Sequence, residues 1–108
     1  MVFVKKLIVG ESLKNKKQKI MWKIRHNSGM FDVFVITLSS NKDNLLDIIN
    51  SSVLMQKYYP KDNMIIVGIA KSYDEAVDIV GRIVEKVYKE TGSFNVREYV
   101  ERVNNIRS

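Results

Sequence analysis

Apolar positions along this chain follow two rhythms. Phe3 to Val9, Val33 to Leu38 and Met64 to Ala70 are short runs rich in β-branched and aromatic residues, as strands require. The second and third are almost continuously apolar, which suits strands covered on both faces. Lys5 and Lys6 interrupt the first, pointing to an edge or a half-exposed face. Between the runs the spacing becomes helical. Leu13, Ile20 and Ile24 share one helix face with Lys17 and Met21 beside it. Ser12 stands where a cap belongs, and Asn27-Ser28-Gly29-Met30 supplies a glycine stop, so the pattern predicts a helix over about 13–28. The same letters permit a hairpin, with Ile20, Trp22 and Ile24 alternating and Asn27-Ser28-Gly29 turning into Phe31; cap, length and stop together favour the helix.

Ser40 with Asp43 three residues on resembles a capping box, and it opens a predicted helix carrying Leu45, Leu46, Ile48 and Ile49. Asn50-Ser51-Ser52 interrupts that pattern, since their side chains compete for backbone hydrogen bonds. The next helix has the fullest set of signals. Ser72 caps it with Glu75 three residues later; Ala76, Val77, Val80, Ile83, Val84 and Val87 form a broad apolar face; Thr91-Gly92 ends it. Asp78 with Arg82, and Glu85 with Lys89, stand four apart on the solvent side. Asn95 and Glu98 then cap a short last helix with a Val96, Tyr99, Val100, Val103 stripe, expected to pack on the sheet or on another subunit.

The resulting order is βαβαβαα over residues 1–108, one α/β domain around a three-stranded, mainly parallel sheet with Met64 to Ala70 central. The hairpin alternative, Ile20–Ile24 against Phe31–Leu38, gives an α+β sheet of four strands. A sheet this small leaves edges and apolar surface uncovered, so a self-associating protein, a homodimer, is the expected form.

Composition removes much chemistry. The 108 residues contain no cysteine and one histidine, which excludes disulfides, thiolate metal sites, a cysteine nucleophile and any two-histidine metal motif. No apolar run approaches the length of a bilayer span, and the N-terminus lacks a secretory pattern, so a cytoplasmic protein without a membrane partner is expected. No catalytic residue, metal ligand or cofactor is assigned, and an enzyme is the less favoured reading.

The net charge of +6 is uneven. Lys14, Lys16, Lys17, Lys19, Lys23 and Arg25 stand together with no acid among them. Such a segment suits a polyanion such as nucleic acid, with Trp22 placed to stack on a base. In a continuous helix Lys16, Lys19 and Lys23 share a face. A solvated helix surface is the plainer account of the same residues. A second candidate lies at the strand ends: if the strands are parallel, Ser12, Ser40 and Ser72 bring three helix starts to one edge, with Lys42 and Lys71 beside them, a pocket for a small anion or nucleotide. Helix capping alone also explains those serines, and no glycine-rich phosphate motif is present. His26 suits a helix C-terminus, and Asp74, Glu75 and Asp78 suit a first helical turn, without any metal. Tyr58-Tyr59-Pro60 reads as a core edge and loop start, and Gly68 and Gly81 as points of close backbone packing.

Asp43-Asn44-Leu45-Leu46-Asp47-Ile48-Ile49, Tyr58-Tyr59 and Val67-Gly68-Ile69-Ala70-x-x-Tyr73-Asp74-Glu75-Ala76 resemble a small family of uncharacterised bacterial proteins of about this length. The resemblance covers most of the chain after Phe31. It implies a complete protein and carries no activity, cofactor or site residue. From the residues themselves, a non-enzymatic binding or interaction protein leads, ahead of the polyanion binder and the anion pocket.

Overall fold

A computed structural model describes residues 1–26, 32–39, 45–56, 58–59 and 62–105. Its elements are β1 (Val2–Val9), a 3-10 segment (Glu11–Lys16), α1 (Lys17–Arg25), β2 (Phe34–Leu38), β3 (Leu46–Asn50), α2 (Ser51–Leu54), β4 (Ile65–Ala70), α3 (Tyr73–Thr91) and α4 (Val96–Val103). The four strands form one mixed sheet in the order β1-β4-β2-β3, with β1 parallel to β4 and β2 antiparallel to both β4 and β3. Two sequence expectations are corrected here. The sheet is neither three-stranded nor mainly parallel, and Leu46 to Asn50 is a strand, not a helix. Four strands is the number in the alternative reading, although the fourth comes from Leu46–Asn50; Ile20 to Ile24 is helical. The strand ending in Ala70 lies inside the sheet, as expected.

The cause of the misreading is physical. Leu45, Leu46, Ile48 and Ile49 fit a helical stripe, but a five-residue edge strand with both faces half-covered has no need of strict alternation, and every residue of β3 is half-buried. Pairing with β2, from Phe34 opposite Asn50 to Leu38 opposite Leu46, decides between the two. Asn50 then ends the strand and caps α2, its side-chain oxygen accepting from the Ser52 N–H. The proposed Ser40/Asp43 box lies outside the described residues, as do the Asn27–Met30 stop, Lys42 and Pro60.

Val35 and Ile36 are fully buried, as are Ile66 and Ile69, and the run from Ile66 to Ala70 is buried throughout. Successive strand residues point to opposite faces, so both faces of the two inner strands are covered. α3 lies over β4, β2 and β3, and α4 packs beside it. Its Ala76, Ile79, Ile83 and Val87 join one core cluster with Ile20 and Ile24 of α1 and Val96, Tyr99 and Val100 of α4. Each large aliphatic side chain so buried contributes about 1.5–3 kcal/mol. The α4 stripe is thus used within the chain.

Capping follows the sequence at α3 and α4. Ser72 Oγ accepts from the Glu75 N–H at 3.1 Å, and Gly92 closes α3 with φ 74°, its N–H donating to the Tyr88 carbonyl. Asn95 and Glu98 bond reciprocally. Ser12 is corrected: the 3-10 segment starts from Gly10 without a side-chain cap. The glycines also part ways. A Cβ at Gly68 would stand 3.2 Å from both Ile36 Cδ1 and the Ile8 carbonyl, as close packing requires, whereas one at Gly81 would meet nothing within 4 Å. Gly81 is therefore not a packing point. Gly81→Ala should raise stability by about 0.5–1 kcal/mol, read as a higher midpoint in urea, because helix interiors favour alanine over glycine by that margin.

Candidate functional site

The two edges of the sheet differ in kind. At β1, Val4 to Leu7 bulge between the pairs Phe3–Ile66 and Ile8–Gly68, with only Val67 opposite them on β4. Lys5 and Lys6 are exposed on this strand. The Lys6 N–H, which would otherwise offer itself to another strand, donates to Asn104 Oδ1 at 2.9 Å, and Asn104 is itself buried and bonded to the Val100 carbonyl. Bulge, lysines and a covering side chain are the devices by which proteins block edge pairing. The edge expectation for Phe3 to Val9 holds.

Among the described residues β3 carries no lysine, no proline and no bulge against β2; it is five residues long and its one charge is Asp47. The Ser51 N–H donates to the Val33 carbonyl at 2.8 Å, so residues 33 and 51 form a hydrogen-bonded pair. Antiparallel ladders alternate, so Val35/Ile49 and Thr37/Asp47 are also hydrogen-bonded pairs. The backbone groups of Leu46, Ile48 and Asn50 consequently point away from β2, outward from the sheet.

Beside this edge runs a second apolar line on α3. Successive helix residues turn by about 100°, so Tyr73, Val77, Val80, Val84 and Tyr88 fall about 60–140° to one side of Ile83. Arg82, Lys86 and Glu90, which line a crevice of about 310 Å³ with α4 and β1, fall on the other side. The line therefore looks toward β3, and the ring of Tyr73 meets Phe34 of β2 edge-on at 6.0 Å. Tyr73, Val77 and Tyr88 are about half exposed, and Tyr88 stacks on the equally exposed Phe94 at 4.8 Å. Of the broad apolar face expected from the sequence, Val80 and Val84 are partly buried against the core and Val77 is half exposed, because the apolar arc is wider than one sheet contact covers.

The anion pocket takes a different form. β1 and β4 are parallel, so Ser12 and the Lys71-Ser72 start do converge, but β2 runs the other way and carries Ser39 to the opposite end; Ser40 and Lys42 are outside the described residues. Between the two ends sits an internal anion. The Glu75 carboxylate accepts from the Lys71 N–H at 2.8 Å and from the Ser12 hydroxyl at 3.5 Å, and it fills the space where a Cβ on Gly10 would stand.

The basic segment is split by its backbone. Lys14 and Lys16 lie on the 3-10 segment, with Lys14 paired to Glu11 at 3.0 Å, while Lys19, Lys23 and Arg25 lie on α1. The two segments meet at Lys16, whose φ of −115° and ψ of 7° interrupt the regular winding, so the segment is not one continuous helix; Lys19 and Lys23, four apart on α1, share a side. Arg25 lies over the Phe3 ring at 4.9 Å. Trp22, 54% exposed, stacks on His26 with centroids 4.3 Å apart, and His26 Nδ1 meets the Trp22 carbonyl at the helix end.

A polar cleft of about 350 Å³ holds Asp47, Tyr59, Asp62, Asn63 and Arg97, but Arg97 is already spent on the Ser39 carbonyl at 2.8 Å and on Glu101 at 3.4 Å. The Tyr99 hydroxyl donates to Glu90 at 2.5 Å, and that bond pushes the phenol above its usual pKa. Among the described residues no group of His, Asp or Glu is placed to hold a metal ion, and no helix is long and apolar enough to cross a membrane. The chain matches no known protein family, no curated protein and no solved structure.

Proposed function

We propose that this protein works by binding rather than catalysis, and that its partner at the β3 side is another copy of itself. The observation that supports this is the apolar line of α3, on which Tyr73, Val77 and Tyr88 are about half exposed and Val80 and Val84 partly buried, beside the outer edge of β3. Large contiguous apolar surfaces mark interaction sites, and an apolar edge strand invites pairing. The guarded β1 edge supports a closed assembly, because a chain with one open edge stops growing once that edge is paired.

Association stabilises the folded state by mass action, so the melting temperature should climb as protein concentration is raised a hundredfold. A melting temperature independent of concentration would overturn the proposal. The exposed Trp22–His26 stack among the cations of α1 supports a second reading, in which α1 docks on a polyanion. There the tryptophan emission should shift on adding RNA or DNA at low salt and recover as salt is raised; no shift at low salt would remove it.

A further inference from the structure

We infer that two copies join their β3 strands antiparallel about a two-fold axis at Ile48, making one continuous sheet of eight strands from two sheets of four. This rests on the self-association proposed above and adds its register. The groups available for pairing belong to Leu46, Ile48 and Asn50. Centring on Ile48 sets Ile48 against Ile48 of the partner subunit and Leu46 against Asn50 of the partner subunit, so all three outward residues bond on each chain. Sliding so that Leu46 meets the partner's Ile48 leaves Asn50 unpaired and puts Asp47 directly against the partner's Asp47, a like-charge clash. Sliding the other way leaves Leu46 unpaired and gains nothing. In the centred register Asp47 lies beside the partner's Ile49, with no charge opposed.

The same axis fits the helix. Phe34 meets Tyr73 of α3, so the even-numbered residues of β2, and with them Leu46 and Ile48 of β3, face the α3 side of the sheet. Joining the edges therefore lays Leu46 and Ile48 of both chains as a floor between the two α3 helices, whose apolar lines face one another across it. A heterologous β3-to-β1 contact would build an open fibre, and the bulge, Lys5, Lys6 and Asn104 obstruct it.

The native chain has no cysteine, so introduced thiols report cleanly. In this register residue 47 and the partner's residue 49 form a non-hydrogen-bonded pair with Cα atoms about 4.5 Å apart, inside disulfide range. Residue 47 and the partner's 47 are diagonal, about 7–8 Å apart and beyond it. Asp47→Cys and Ile49→Cys chains, mixed and oxidised, should yield a covalent dimer on a non-reducing gel, while each alone stays single. Crosslinking of Asp47→Cys alone, or none in the mixture, would overturn the register. Sedimentation of the same unoxidised samples separates the two claims: dimers that do not crosslink sink only the register, whereas monomers sink the self-association as well. The unmutated protein gives an independent reading. Exchange of the Ile48 amide should slow as concentration rises through the association range, and unchanged exchange while the mass doubles would overturn the pairing.

Discussion

Ile36→Asp should leave little folded protein at 25 °C. Ile36 sits on an inner strand with no exposed surface, its Cδ1 close over Gly68, which also stands beside Ile79 of α3. A carboxylate there has no partner within the core and no path to water, a cost of about 3–5 kcal/mol on top of the lost apolar burial. Against the 5–15 kcal/mol that holds a typical domain together, that takes most of the margin. Ile36→Val, which keeps the chemistry and removes one methylene, should cost only about 1 kcal/mol. Urea unfolding followed by circular dichroism checks both, and near-native stability of Ile36→Asp would mean that β2 is not inside the sheet.

Val77→Lys combined with Tyr88→Lys should have the opposite profile. Both side chains are half exposed in the single chain, so the monomer loses little; lysine also has good helix propensity. In the assembly each substitution removes apolar surface from both copies and sets like charges across the interface. Association should weaken at least tenfold, about 1.4 kcal/mol, while the far-ultraviolet spectrum stays native. Unchanged association would show that the α3 line is ordinary surface.

How far the sequence carried differs by element. Local signals located α3 and α4 with their caps, and the β1, β2 and β4 runs, because each rests on side chains acting within a few residues. Ser72 with Glu75 and Asn95 with Glu98 are of this kind. β3 was illegible because its identity comes from pairing with β2, and a short apolar stretch serves helix and strand alike. Strand order was hidden for a related reason: β1 pairs with β4 across most of the chain, and nothing local records that. The convergence of chain segments at the strand ends was half legible. Two helix starts do meet, yet Glu75, read as a capping and first-turn residue, turns its carboxylate into the gap. The open edge needed both errors resolved, since it exists only once Leu46 to Asn50 is a strand and β1 is seen to be shielded by Asn104, a residue 98 positions from Lys6 in sequence.

Sedimentation equilibrium on the unmutated chain reads the dimer itself. The weight-average mass should rise with concentration from the 12.5 kDa of one chain and level off at twice that value. A mass fixed at 12.5 kDa across the micromolar to millimolar range, or one that climbs past the dimer without a plateau, would contradict it.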